Sequence, residues 1–202
     1  FVPGMRAATP PAGLAGRKIV LYSGNWGVPH DHRTFLDGYV RFCRSHPSVS
    51  GVWVNTSTTR AGLVVRELER LGLPCAQTPL VPLEELPAVL LAADVHLVTL
   101  SDAFVGYALP SKVYACIESG KPVLFIGSAR SDVHLVCTER LPAASYRRVA
   151  VGDADGGAHR TWAPREVRRL RLSLRSGRGP HSAAGTHRRR RGRVRRADVE
   201  AP

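Results

Sequence analysis

Short continuous apolar runs alternate along the chain with stretches in which apolar residues recur every three or four positions. Lys18–Ser23, Gly51–Asn55, Cys75–Thr78, Val95–Leu100, Pro122–Gly127 and Tyr146–Val151 read as strands. Between them, Thr34–Arg44 places Phe35, Leu36, Tyr39, Val40 and Cys43 on one helical face. Thr59–Leu71 does the same with Leu63, Val64, Leu68 and Leu71 before Gly72. Leu83–Ala93 with Pro87 in its first turn, a helix opened by Pro110 and Ser111 and closed by Gly120, and one capped by Ser131 and Asp132 complete the alternation. Strands that are apolar throughout need cover on both faces. The pattern therefore predicts an α/β fold: a doubly wound, mainly parallel Rossmann-like sheet with ligands received where strands end.

This grammar fills residues 17–151. Residues 1–16, rich in Pro, Gly and small side chains, read as a linker. From 152 to 202, Leu, Ile, Val and Phe are six of 51 residues, too few to bury a core, so a disordered arginine-rich tail is expected. That tail holds 14 arginines against five acids, and it carries most of the formal charge of +13. The charge therefore describes a tail and not a nucleic-acid-binding fold, so no specific nucleic acid is expected as partner. A composition rich in Arg, Gly and Ala and free of Lys, Ile, Phe and Tyr is also what a frame-shifted reading of a GC-rich gene produces.

No apolar run reaches the roughly 18 residues needed to cross a bilayer, which removes a transmembrane span. The start at Phe1 has no signal-peptide pattern and reads as a truncation. Cys43, Cys75, Cys116 and Cys137 are widely spaced in apolar surroundings, as buried free thiols of a reducing compartment would be. A cytoplasmic protein, including one at the inner membrane surface, is expected.

Three loops at strand ends carry candidate chemistry. In the first, Gly24 and Gly27 permit close backbone approach, so amides near Gly24 and Asn25 can receive an anion beside Trp26, a flat apolar wall. The adjacent His30, Asp31 and His32 cannot easily converge on one ion, so no metal is expected, and Asp31 suits a helix cap. In the second, Gly106 relaxes the backbone, and Ser111 and Lys112 open a helix whose unpaired N–H groups attract phosphate. Lys112 is one of three lysines in the chain and offers a compact charge. In the third, Arg130 either meets an acidic group or faces solvent. Glu118 is either a ribose acceptor or a solvent-facing acid.

Tyr22-Ser-Gly-Asn-Trp-Gly27 followed by His30-Asp31, then Leu83-Glu-Glu-Leu-Pro87, Ala93–Leu100, Phe104-Val-Gly-Tyr-Ala-Leu-Pro-Ser-Lys-Val-Tyr114 and Gly120-Lys-Pro-Val-Leu-Phe-Ile-Gly127 resemble, in order, the C-terminal half of family 4 glycosyltransferases, and most of all their colanic-acid-type exopolysaccharide branch. The resemblance covers roughly residues 18–151. It implies one half of a GT-B enzyme, the half that binds a nucleoside-diphosphate sugar as substrate, with an N-terminal acceptor domain missing from this chain. It further implies a retaining, metal-independent transferase with no cofactor, inactive as this fragment, with Gly24 and Asn25 on the phosphate-side loop and Ser111 and Lys112 on the donor helix. Two departures matter. Ala115 stands where many relatives carry the second of two glutamates, with Asp102 a loose substitute for the first, and Asn55-Thr56-Ser57 replaces a Gly-x-Gly turn. Ribose and base contacts therefore stay open among Trp26, Asp102 and Glu118, and the catalytic residue is unassigned.

Overall fold

The computed structural model describes residues 1–151 except 3, 48 and 58–60, so the arginine-rich segment lies outside the described residues. Six strands form one sheet: β1 Lys18–Ser23, β2 Ser50–Asn55, β3 Cys75–Thr78, β4 Val95–Thr99, β5 Val123–Ile126 and β6 Tyr146–Val149. Every pairing is parallel, in the order β3-β2-β1-β4-β5-β6. This is the doubly wound arrangement expected from the apolar runs: β2, β4 and β5 are buried at every position. The order reverses between β1 and β4, and the crevice beyond their carboxyl ends is where such sheets take ligands.

Helices α1 (Arg33–Ser45) and α2 (Ala61–Arg70) cover one face of the sheet, packing Phe35, Tyr39, Val64 and Leu68 on Tyr22, Val52, Leu97 and Ile126. Helices α3 (Leu86–Leu91), α4 (Lys112–Glu118) and α5 (Asp132–Arg140) cover the other. On α2 the buried stripe is Ala61, Val64, Val65 and Leu68. Leu63 and Leu71, expected on it, are 52% and 37% exposed, because the stripe follows the narrow contact with β2 and β3. Helix α3 starts three residues later than its pattern suggested. Pro82 O accepts the amides of Glu85 and Leu86, so Leu83 to Glu85 form a turn that leads into the helix.

The segment read as a linker is tied to the domain at two points. Leu14 is fully buried with Ile19, Leu21 and Trp53, and the Ala8 amide donates to Ala88 O at 2.8 Å. At the base of the sheet, Asp94 accepts from Lys18 Nζ and from the Ile19 amide, each at 2.9 Å, and so joins β1 to β4. Cys43, Cys116 and Cys137 are buried and Cys75 is half-buried. Burial pushes the Cys116 thiol up to about 12 and Cys137 up to about 11, which keeps both as inert packing groups.

Gly127, at the end of β5, shows how closely this edge is filled. A Cβ there would overlap the Phe125 ring and lie 2.9 Å from Leu100 O, and Phe125 is fully buried. Gly127→Ala is therefore expected to destabilise by about 1–3 kcal/mol, the range for overpacking. Urea unfolding checks this; an unchanged midpoint would mean that the Phe125 ring has room to move.

Candidate functional site

The crevice at the β1/β4 reversal is built by the loops after these strands, and backbone contacts hold the two loops together. Pro29 O accepts the Ser101 amide at 2.7 Å, and His30 Nδ1 lies 2.6 Å from Thr99 O. Behind the first loop, the Gly24 amide donates to Asn55 O at 2.9 Å. Asn55 is fully buried; its Oδ1 accepts from Ser23 Oγ, and its Nδ2 donates to Thr78 Oγ1 and to Pro79 O. The polar Asn55 that replaces a glycine turn thus ties the ends of β1, β2 and β3 together. Asp31 caps α1, accepting the Thr34 amide at 3.1 Å and the Thr34 hydroxyl at 2.6 Å.

Lys112, the first residue of α4, reaches back over this framework. Its Nζ stands 3.4 Å from the centroid of the Tyr22 ring. A Cβ built on Gly24 would be 4.0 Å from both Lys112 Cε and Nζ, which sets the side chain beside the glycine backbone. Gly24 has φ +111, a conformation that other residues rarely adopt, so the loop's path past the lysine depends on glycine. The ammonium is sealed from solvent and has no hydrogen-bond partner among the described residues. Burial brings the amine from 10.5 down to about 7, with only a weak opposing pull from Cys116. The Tyr22 π-face offers a cation–π contact, which stabilises a desolvated ammonium by about 2 kcal/mol and leaves its hydrogen-bonding capacity unused.

Two more residues of the site went unassigned in the sequence. Tyr22 stacks on Trp26 at 3.9 Å between centroids, meets His30 edge-on at 5.8 Å and donates its hydroxyl to Asn25 O at 2.8 Å. His30 is half-buried beside Lys112; burial first, and the lysine charge second, bring its pKa down to about 4 against the opposing Thr99 carbonyl. The aromatic at a strand end ahead of a glycine was a usable signal for Tyr22. His30 lacked one, since its partner Thr99 is remote in sequence.

The structure brings Gly24 and Lys112 together and places the other expected residues around or away from them. Asn25 is exposed, and its carbonyl holds the Tyr22 hydroxyl. Ser111 is exposed and its side chain makes no capping bond. Gly106, with φ +83, Asp102, at the start of a 3-10 turn, and Glu118, at the end of α4, are all exposed. Trp26 is 0% exposed and belongs to the core between Tyr22 and Phe35. Its ring supports Tyr22 from behind, so in this conformation it is no open wall for a base. Arg130 is exposed, its amide donating to Ser128 Oγ. Among the described residues no helix is long and apolar enough to cross a membrane, and no three His, Cys, Asp or Glu side chains group around a metal position.

No protein-family model matches the chain, and no curated protein matches it in sequence. Solved structures do match in fold. A chain of the GtfA/B complex superposes with a TM-score of 0.54 at 12% identity, over 87% of this chain and 32% of that one. AviGT4, a glycosyltransferase involved in Avilamycin A biosynthesis, superposes with a TM-score of 0.50 at 17% identity, over 81% of this chain and 42% of its own. At these identities the likeness is one of fold: an α/β, all-parallel Rossmann-like domain of the kind found in glycosyltransferases. The chain spans less than half the length of either structure.

Proposed function

We propose that this chain is the donor-binding half of a GT-B glycosyltransferase and that it holds a nucleoside-diphosphate sugar at the β1/β4 crevice. The observation that carries the reading is the Lys112 ammonium: sealed, without a hydrogen-bond partner among the described residues, and set beside the Gly24 backbone where the strand order reverses. A desolvated cation without a counter-charge is costly unless an anion completes it. A diphosphate supplies that charge once the lysine side chain swings from over Tyr22 to meet it, and glycine lets the anion approach the loop. In transfer, the same ammonium offsets the negative charge that develops on the departing nucleoside diphosphate.

The finer reading follows the sequence resemblance: a family 4 enzyme of the colanic-acid-type exopolysaccharide branch, retaining and metal-independent, in which a second domain supplies the acceptor wall. A polysaccharide, glycolipid or related molecule is the acceptor that this branch implies. The alternative, a nucleotide-binding module without transfer activity, is favoured by the alanine at position 115 where relatives carry a ribose-binding acid. Donor binding is common to both readings; sugar transfer after an acceptor domain is added separates them.

Binding is expected to depend on pH through Lys112. The anion binds the charged amine, and in the free protein that amine loses its proton near 7. Affinity for UDP or GDP should therefore be greatest below about pH 7 and weaken by up to about tenfold per unit above it. Lys112→Arg, charged throughout this range, should flatten the profile. Calorimetric titration from pH 6.5 to 8.5 is the test, and a wild-type affinity independent of pH would sink the assignment.

A further inference from the structure

We infer that His30 reads a hydroxyl of the bound donor: its Nε2 accepts a hydrogen bond from a ribose or sugar O–H lying beside the diphosphate. The inference rests on the donor-site reading above and adds a residue to it. Thr99 O has only lone pairs, so the 2.6 Å contact requires that His30 Nδ1 carry the proton and donate. A neutral imidazole has one N–H, which leaves Nε2 a pure acceptor. Among the described residues nothing hydrogen-bonds to Nε2, and the ring is only half-buried, which leaves that nitrogen for a partner from outside the chain. The ring is also fixed in place. The Pro29 carbonyl next to it holds the Ser101 amide at 2.7 Å, and Tyr22 meets it edge-on at 5.8 Å.

Charge sharpens the selectivity. Burial first, and the Lys112 charge second, bring the His30 pKa down to about 4 in the free protein, so at neutral pH the ring meets a ligand without the second proton that would let Nε2 donate to a phosphate oxygen. A phosphate oxygen opposite Nε2 would set lone pair against lone pair. A hydroxyl meets no such conflict. Neighbouring side chains thus have complementary tasks: Lys112 takes the anion, and His30 admits only a donor group next to it.

The test uses the full chain and His30→Asn, whose amide nitrogen takes the place of Nδ1 and keeps the bond to Thr99 O while deleting the outward acceptor. Inorganic diphosphate, UDP, GDP and their glucose and mannose conjugates are titrated by calorimetry. Inorganic diphosphate is expected to bind both proteins within twofold. The nucleotides are expected to bind His30→Asn roughly fivefold to tenfold more weakly, the equivalent of one lost hydrogen bond. If the loss already appears with UDP or GDP the hydroxyl is on the ribose; if it appears only with the conjugates it is on the sugar. In the wild-type protein the Nε2 15N resonance of His30 should move upfield with the hydroxyl-bearing ligand and stay in place with inorganic diphosphate, which gives a readout even where the variant folds poorly. Equal weakening of inorganic diphosphate and nucleotides, or no weakening of either with an unmoved Nε2 resonance, overturns the role of His30 alone. A wild-type chain that binds neither diphosphate nor nucleotide overturns the donor-site reading, and this inference with it.

Discussion

Lys112→Met is expected to raise the stability of the free protein while removing most of its nucleotide affinity. The opposite signs come from one fact: the ammonium is sealed over Tyr22 with no hydrogen-bond partner among the described residues. An amine brought from 10.5 to about 7 destabilises the folded state whenever it is protonated, by an amount on the order of 2–4 kcal/mol at neutral pH. Methionine keeps the length of the side chain, places a thioether against the ring and removes that penalty. Binding loses one charge-assisted contact, about 1.5–3 kcal/mol or roughly tenfold to a hundredfold. Because the folded-state pKa lies below the unfolded one, the unfolded chain binds more protons between pH 7 and 10.5. The wild-type penalty is thus complete below about 7 and is relieved as pH rises, so the gap to Lys112→Met narrows from pH 7 to 8.5. Thermal unfolding and calorimetry give both signs. A lower melting temperature in Lys112→Met would show that the amine is satisfied in the free protein, and undiminished affinity would remove the phosphate site from this crevice.

Trp26→Ala is expected to cost about 3–5 kcal/mol, the usual range for emptying a buried aromatic site. Trp26 is fully buried, stacked on Tyr22 at 3.9 Å between centroids and tilted against Phe35 at 6.1 Å, so its loss removes the support of the ring under Lys112. Trp26→Phe should recover part of the stability and most of the nucleotide affinity, since a smaller ring still backs Tyr22. A direct base contact gives the reverse pattern: Trp26→Ala would leave urea unfolding nearly unchanged while nucleotide affinity fell in both variants. Urea titrations paired with nucleotide titrations separate the two cases.

The strands were legible because a parallel sheet covered on both faces leaves apolar runs such as Val123–Ile126 with no polar alternation to confuse them. Helix ends were less so, as at Leu83, where a turn precedes the first regular hydrogen bonds. In the site, Gly24 and Lys112 were legible as types: a glycine after a strand and a rare lysine at a helix start. Their meeting was not, because it depends on β1 and β4 becoming neighbours across more than 70 residues of sequence. Trp26, expected as a ligand wall because it is an aromatic residue in a glycine loop, is buried with Tyr22 stacked on its face, a packing that depends on the fold and not on local pattern. His30 carried no assignment because Thr99 O, which fixes its tautomer, is a backbone atom and leaves no trace in side-chain patterns.

The Pro29–Ser101 and His30–Thr99 bonds have a consequence for how such a site is inherited. Neither loop carries the proposed anion seat alone: the first brings the glycine and the ring, the second leads into the lysine, and the two backbones are stapled to each other. A homologue that acquired one loop by recombination would receive half of a seat with its staples unmatched. On the donor-site reading the pair is a single transplantable cassette, and an exchange of donor preference between related domains has to move 22–32 and 99–112 together.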